Sequence, residues 1–389
     1  MAETVYVELR EFLDRLPGGY PETPTGKELD ILRKFFTPEE AELTMKLRQF
    51  PEPAGAIAKR LGIPVAEAEE KLESMARKGL ILSVRSGKDR FYQAAQFVVG
   101  IHEFHVDSID REYVELAEEI DGYFADTVVK QFRVVPVNSA VETTTTIGSY
   151  DMVREMVKGQ TEVAVADCIC RKAQHLVDKG CDKPRESCLI FGLGARYYID
   201  YGKGRKIDVD EALRIIDRAE EAGLVLAPSN CKEIINICCC CSCCCGVLKL
   251  LKMHERPAEA VYTNFQARID ADLCNECETC VERCQMEALV SREGSMRVDP
   301  DRCIGCGLCV STCPSGAMSL ISRPSDLVLP EGQMHMTALL ARDRGLGFGK
   351  LAPLMKGGND EASVRRLPLL YRSGLGRPLV NFMAKRGWV

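Results

Sequence analysis

The sequence predicts a multidomain α+β protein, and three features of the chain lead to this class. An N-terminal stretch places apolar residues at helical spacing before two strand-like runs, a middle stretch repeats a helix–glycine–strand pattern, and a later stretch duplicates a cysteine motif. The 389 residues leave room for two or three domains, and 46% apolar content is enough to build cores. We expect four regions, at residues 1–100, 101–262, 263–323 and 324–389.

The first region predicts a helical module that ends in a hairpin. Its segment AGAIAKRLGIPVAEAEEKLESMARKGLI has helical periodicity in two stretches joined by Leu61, Gly62 and Ile63, which is typical of a helix-turn-helix. After Gly79, the runs LILSV and RFYQ flank a polar turn and predict two strands. The module resembles a winged helix, so the fold expected here is winged-helix-like.

Winged helices often bind DNA through the second helix, so the composition of that helix bears on function. The positions that would face the major groove are acidic: Glu67, Glu69, Glu70 and Glu73. Because neutralisation of phosphates by Lys and Arg supplies most nonspecific affinity, such a face works against DNA binding. We expect the module to contact protein or to be architectural, and a redox-sensing DNA regulator is the least favoured function.

The second region, residues 101–262, predicts a mixed helix and strand domain. Asp208 and Glu211 have capping-box spacing before an apolar-periodic helix that ends at Gly223, and the short apolar run LVLA follows. The runs RVVPV and TEVAVADC predict strands, the second of which leads directly to Cys168 and Cys170. The cysteines of this region therefore belong to an α+β domain.

Cysteine usage indicates metal binding rather than disulfides. The chain has 20 cysteines, but it begins MAETVYVELREFLDRL, without the basic start and apolar run of a secretory signal. We expect a cytoplasmic protein, because a reducing compartment keeps clustered thiols free to act as ligands. The apolar run at 234–251 is rich in Cys and flanked by Lys232 and Lys252, so we do not expect a membrane span.

The third region, residues 263–323, contains a duplicated C-x2-C-x2-C-x3-C motif, and it resembles a bacterial-type 2[4Fe-4S] ferredoxin. The resemblance implies that each cluster takes its fourth ligand from the other repeat. One set is Cys274, Cys277, Cys280 and Cys313, and the other is Cys303, Cys306, Cys309 and Cys284. Gln285 departs from the family, which usually has proline there. Zinc is the alternative metal, but its motifs are usually two separated CxxC pairs.

The second region holds twelve further cysteines, seven of them within residues 238–245. Such a run has no packing rationale and would be prone to oxidation as bare thiols, so metal ligation is the economical explanation. We predict a third [4Fe-4S] cluster on Cys168, Cys170, Cys181 and Cys188. A fourth is predicted on Cys240, Cys241, Cys244 and Cys245, and sets that mix both groups are equally compatible with the sequence. Cys239 and Cys231 are the weakest ligand candidates.

Taken together, the winged-helix-like module, the DCICR element, the ICCCCSCCCG run and the terminal dicluster resemble a group of 4Fe-4S-binding proteins from anaerobes. The triplet Cys244-Cys245-Gly246 is similar to the CCG element of heterodisulfide-reductase-like subunits, although the remaining spacing does not match. From Thr337 onwards, ten Lys and Arg stand against three Asp and Glu, which gives a basic tail of +7 that suits an acidic partner or the protein's own body.

The leading functional hypothesis is an electron-transfer protein or subunit of a redox complex, with redox proteins as donor and acceptor. The alternative is an oxidoreductase whose middle region holds a substrate-binding cluster. No Ser/His/Asp set or carboxylate pair singles out catalytic residues, so the sequence leaves open whether the chain is itself an enzyme.

Overall fold

The computed structural model of the protein describes residues 2–137, 140, 152–292, 295–323 and 329–346. The helices in chain order are α1 (Ala2–Asp14), α2 (Lys27–Phe35), α3 (Pro38–Met45), α4 (Ala54–Leu61), α5 (Val65–Lys78), α6 (His102–Phe104), α7 (Arg111–Ile120), α8 (Ala125–Val128), α9 (Val153–Lys158), α10 (Ile169–Leu176), α11 (Gly192–Asp200), α12 (Val209–Glu221), α13 (Gly246–Met253), α14 (Pro257–Ala260), α15 (Thr279–Arg283), α16 (Leu308–Ser311) and α17 (Gln333–Asp343).

The strands are β1 (Glu52–Pro53), β2 (Ile81–Ser86), β3 (Asp89–Ala94), β4 (Val163–Asp167), β5 (Glu186–Phe191), β6 (Arg205–Ile207), β7 (Val225–Pro228), β8 (Asn236–Cys240), β9 (Phe265–Ile269), β10 (Leu289–Arg292), β11 (Ser295–Val298) and β12 (Met318–Ser322). The chain divides into two compact units, one built mainly from residues up to 105 and the other mainly from residues 106–329. Residues 347–389, which include most of the predicted basic tail, lie outside the described residues.

In the first unit, α4 and α5 are followed by a β2–β3 hairpin, with β1 completing a three-stranded antiparallel sheet. Gly79 ends α5 with φ of 98°, a left-handed conformation that glycine adopts without steric cost. On α5, Glu69 and Glu70 are exposed, whereas Glu67 pairs with Lys71 on the same helix. The predicted helices and hairpin are thus present, and their classification as a winged helix stays a prediction.

The second unit is built on a five-stranded antiparallel sheet with strand order β6-β4-β5-β8-β7. The predicted helix is confirmed as α12, whose first turn is capped by the Asp208 carboxylate accepting from the Glu211 backbone N–H. The predicted strand at RVVPV forms only isolated bridges, for example Val135 with Leu226. Pro136 lies within this run and has no backbone N–H for a continuous ladder.

The duplicated cysteine motif folds as two strand–loop–helix–strand repeats in the same unit. The first is β9–α15–β10 and the second is β11–α16–β12. Strand β9 pairs with β12, and β10 pairs with β11, so each repeat contributes one strand to each two-stranded sheet. This exchange is what allows one repeat to supply a ligand beside the loop of the other.

The dicluster repeats contact the helix and turn segments of the cysteine-rich domain. The Arg283 guanidinium donates to the Glu220 and Glu221 carbonyls, which are among the last carbonyls of α12. The Ser242 backbone N–H donates to the Gln285 side-chain oxygen at 2.8 Å. Among the described residues, no helix is long and apolar enough to cross a membrane.

Candidate iron–sulfur and metal sites

Two cavities in the dicluster repeats are each lined by four cysteines. Cys274, Cys277, Cys280 and Cys313 line the first cavity. Cys284, Cys303, Cys306 and Cys309 line the second cavity. The structure thus brings together each set that the resemblance implied, with three thiols from one repeat and one from the other. Four thiols around one cavity are the ligand complement of a cubane.

The two cavities differ in their exposure to solvent. Cys277 at the first cavity is exposed, whereas Cys303 and Cys309 at the second are buried. Backbone N–H groups of the core point at the second set, since Ala267 donates to the Cys303 sulfur and Ala288 to the Cys284 sulfur, both at 3.3 Å. Such hydrogen bonds stabilise thiolate charge and raise the reduction potential of a bound cluster.

Burial alone would keep the thiols of the second cavity protonated. It raises the pKa of Cys306 to about 12 and also raises the pKa of Cys303. A metal must therefore displace these protons on binding, and the ligation energy then contributes to folding.

In the cysteine-rich domain, two helix starts bring thiols together. Cys168 is the N-cap of α10 and Cys245 is the N-cap of α13. The positive end of a helix dipole favours thiolate over thiol at both positions, but the neighbouring Cys170 thiol and burial still raise the pKa of Cys168. Strand β8 ends at Cys240, and alternation along the strand places Cys238 and Cys240 on one face and Cys239 on the other.

Six thiols form what we call the wide group: Cys168, Cys170, Cys188, Cys238, Cys240 and Cys245. Their side chains interact in successive pairs. Cys170 interacts with Cys168 and Cys245, and Cys240 interacts with Cys245 and Cys238. Hydrogen bonding from the Cys170 and Cys240 thiols lowers the pKa of Cys245 to about 5. The group is thus prepared to hold at least one thiolate at neutral pH.

Four other thiols form what we call the tight group: Cys181, Cys241, Cys243 and Cys244. Their sulfurs all lie within 4.8 Å of one another. The Cys244 sulfur lies 3.6 Å from that of Cys181 and 3.8 Å from that of Cys243, and the Cys181 and Cys241 sulfurs are 3.9 Å apart. Within the described residues, this is the one set of three or more potential ligands with such spacing.

A buried cation connects the tight group with the sheet. Arg171 has no exposed surface, and its guanidinium donates to the Cys239 carbonyl at 2.9 and 3.1 Å, to the Cys241 sulfur at 3.6 Å and to Ser187. In the described part of the chain, no carboxylate forms an ion pair with it. An uncompensated buried charge costs several kcal/mol, and the neighbouring Cys168, Cys240 and Cys241 side chains would supply its counter-charge as thiolates.

The structure places the middle-region cysteines in groups that differ from the two sets predicted from the sequence. Cys170 contacts Cys168 and Cys245, whereas Cys181 lies in the tight group with Cys241. The other predicted members divide in the same way: Cys188, Cys240 and Cys245 fall in the wide group and Cys244 in the tight group. The physical reason is the end of β8, where the chain leaves the strand and successive side chains turn to different sides.

Two cysteines outside the predicted sets also take part. Cys243 belongs to the tight group, and Cys238 lies directly opposite Cys188 in the pairing of β5 with β8. The alternation of side chains along NICCC predicts that Cys238 and Cys240 share one face of the strand. That Cys188 lies beside them follows only from the register of the sheet. The two weakest candidates lie elsewhere, since Cys239 is buried on the opposite face and the Cys231 thiol donates to the Glu233 carbonyl.

Comparison with known families identifies the class of the duplicated segment. Residues 267–320 match the family model described as a 4Fe-4S dicluster domain. The chain is accordingly an iron–sulfur protein, and its ferredoxin-like domain binds [4Fe-4S] clusters through cysteine thiolates. Comparisons with curated proteins and with solved structures gave no match.

Proposed function

We propose that the protein is an electron-transfer protein, or an electron-transfer subunit of a redox complex, in which the dicluster domain exchanges electrons between a redox partner and the cysteine-rich domain. The observation that carries this proposal is the gradient of exposure along the dicluster. The first cavity reaches solvent at Cys277, whereas the second is enclosed at Cys303 and Cys309. Each cluster transfers one electron, and the protein sets distance, burial and hydrogen bonding.

The surface around the first cavity suits a protein partner. Leu273 and Val281 are large apolar side chains that are 53% and 36% exposed. Four exposed carboxylates lie close to them in the sequence: Asp272, Glu276, Glu278 and Glu282. An apolar centre with a charged rim is the usual composition of a transient interface, and here it favours a redox partner with a basic docking face.

The second cavity faces the interior of the unit. Cys303 and Cys309 share one apolar core with Cys240 and Cys245 of the wide group. The residue after Cys284 is Gln285, which accepts the Ser242 backbone N–H between two members of the tight group. Proline at position 285 would offer no side-chain acceptor. Gln285, the residue that departs from the ferredoxin pattern, thus forms part of the junction between the dicluster and the cysteine-rich domain.

We assign a third [4Fe-4S] cluster to the wide group, with Cys168, Cys170, Cys240 and Cys245 as its ligands. All four are thiolate donors, which is the ligand type that such clusters require, and they come from the starts of two helices and the end of one strand. This cluster would receive electrons from the second dicluster site.

One observation favours the second candidate function, an oxidoreductase acting at the wide group. Six thiols exceed the four that a cubane takes, and Cys188 and Cys238 are the surplus pair. A change in the EPR signal of the third cluster on adding a substrate would support catalysis there. Signals that respond only to redox potential would support electron transfer alone.

Electron transfer through the exposed cavity is tested with a basic one-electron acceptor. Fully reduced protein, freed of reductant under argon, is mixed with ferric cytochrome c, and the rate of haem reduction is measured. In the double variant Glu276→Gln and Glu278→Gln we expect a rate about tenfold lower at low salt, because electrostatic steering is weakened. The matched control is Glu69→Gln with Glu70→Gln on α5. Equal rates for all three proteins would contradict the proposed docking surface.

The junction is tested separately with Gln285→Leu, which keeps side-chain bulk and removes the acceptor of the Ser242 N–H. Freeze-quenched EPR should then show the dicluster reduced at the normal rate by a protein donor and the third cluster reduced more slowly. Unchanged kinetics of the third cluster would contradict this route between the two domains.

A further inference from the structure

The spacing of thiols distinguishes two kinds of metal site within this one molecule. With metal–sulfur bonds of about 2.3 Å, a tetrahedral site around a single ion places its sulfurs roughly 3.8 Å apart. In a [4Fe-4S] cubane each terminal thiolate binds its own iron, and the thiolate sulfurs are then roughly 6 Å apart. Four sulfurs that all lie close to one another therefore fit one ion, whereas a cubane needs a set whose members are not all close together.

The tight group has the spacing of a single ion. Its three closest sulfur separations are 3.6, 3.8 and 3.9 Å, and every pair is within 4.8 Å. The two dicluster sets provide an internal standard, because neither has this spacing although both surround cavities of a 4Fe-4S dicluster domain. Among the residues that the structure describes, no three thiols of the wide group meet it either.

We propose that Cys181, Cys241, Cys243 and Cys244 bind one mononuclear thiophilic metal ion, zinc or iron, as a site distinct from the [4Fe-4S] clusters. Four thiolates are the ligand set that both ions accept in tetrahedral geometry.

The surroundings of the four thiols match such a site. An ion of charge +2 with four thiolates carries a net charge of −2, and the buried Arg171 guanidinium donates to the Cys241 sulfur at 3.6 Å. Cys241 and Cys244 are buried, whereas Cys243 is exposed, which leaves one side open for an ion to enter. Charge compensation and hydrogen bonds to ligands orient a metal site and tune it.

The position of the ion indicates its role. Ser242 lies between the ligands Cys241 and Cys243, and its N–H is held by Gln285 of the dicluster domain. Fixing the turn at 241–245 by a metal would therefore also fix the contact between the two domains and the start of α13, where Cys245 belongs to the wide group. An iron ion could in addition exchange electrons, whereas zinc would be purely structural.

The test is a count of metal and acid-labile sulfide in anaerobically purified full-length protein. We expect Cys243→Ser and Cys181→Ser to lose one zinc or one iron per chain with no loss of sulfide. The control, Cys231→Ser, changes a cysteine outside both groups and keeps a donor for the Glu233 carbonyl. A loss of about four irons together with four sulfides would show that the tight group holds a cubane and would overturn the proposal. No loss of any metal would overturn it as well.

A measurement on the unaltered protein covers the case in which the variants fail to fold. If the ion is zinc, absorption at the zinc edge should show four sulfurs at about 2.3 Å. If the ion is iron, Mössbauer spectra should contain one iron per chain with the parameters of an isolated tetrahedral thiolate site. Iron equal to sulfide, with no zinc, would contradict the proposal. None of these readouts depends on electron transfer, so they stand apart from the proposed function.

Discussion

The dicluster domain and the cysteine-rich domain differ in how their cysteines are distributed along the chain. In the dicluster, three of each four ligands lie on one loop, and the spacing C-x2-C-x2-C-x3-C states their grouping directly. In the cysteine-rich domain, the candidate ligands come from three segments around residues 168–170, 181–188 and 238–245, which the sheet brings together. A sequence motif can thus specify a site held by one loop, whereas strand register specifies a site assembled from several.

The largest effect should come from removing one ligand from each kind of site. Cys309→Ala at the second cavity should eliminate that cluster, with a loss of about four irons and four sulfides, because each iron needs its terminal thiolate. Cys245→Ala should do the same for the cluster assigned to the wide group. Iron and sulfide analysis with EPR provides the measurement. A Cys245→Ala protein with the full iron and sulfide content would remove the third cluster from the account.

A smaller effect is expected at Arg171, a buried cation that has no counterpart among the described residues of the dicluster. Arg171→Met should lower the free energy of unfolding by about 3–5 kcal/mol, because buried thiolate charge loses its compensating cation. The matched control is Arg185→Gln, whose side chain is 47% exposed and pairs with Asp167 at the surface, where about 0–1 kcal/mol is expected. Thermal unfolding under argon compares the two. Equal melting temperatures would indicate that the thiols around Arg171 are uncharged.

The smallest effect concerns the two halves of the dicluster itself. Gly305 has φ of 68°, and a Cβ there would lie 2.3 Å from the Phe265 carbonyl oxygen, so Gly305→Ala should cost about 2–3 kcal/mol. The equivalent residue of the first repeat is Glu276, with φ of 55°. Glu276→Gly should stabilise the protein by about 0.5 kcal/mol, because relief of strain outweighs the added chain entropy of the unfolded state. Destabilisation by Glu276→Gly would show that its side chain contributes more than the strain costs.

The parts of the fold that could be predicted depend on local signals. Helix α12 carries its own cap at Asp208 and its own stop at Gly223, and the duplicated motif carries its own spacing. The order of the five-stranded sheet has no such signal, because pairing of β5 with β8 is a contact between segments about fifty residues apart. The position of Cys188 opposite Cys238 therefore could not be predicted from the sequence.

The candidate sites follow the same rule. The spacing of the dicluster motif and its resemblance to ferredoxins predict both sets of four thiols, whereas the run of middle-region cysteines predicts metal ligation without indicating which thiols lie together. Arg171 follows Cys170 in the sequence, and no local pattern there predicts that its side chain is buried. Its burial depends on strand β8, which places the Cys239 carbonyl within hydrogen-bonding distance of the Arg171 guanidinium.

The number of acid-labile sulfides per chain distinguishes the [4Fe-4S] clusters from a single ion, because each cluster contains four sulfides and the ion in the tight group contains none. Strictly anaerobic, full-length protein should contain about twelve sulfides, four for each of three clusters. About eight would contradict a cluster in the wide group, and about sixteen would contradict a mononuclear tight group. Colourless protein without sulfide would contradict the iron–sulfur assignment itself.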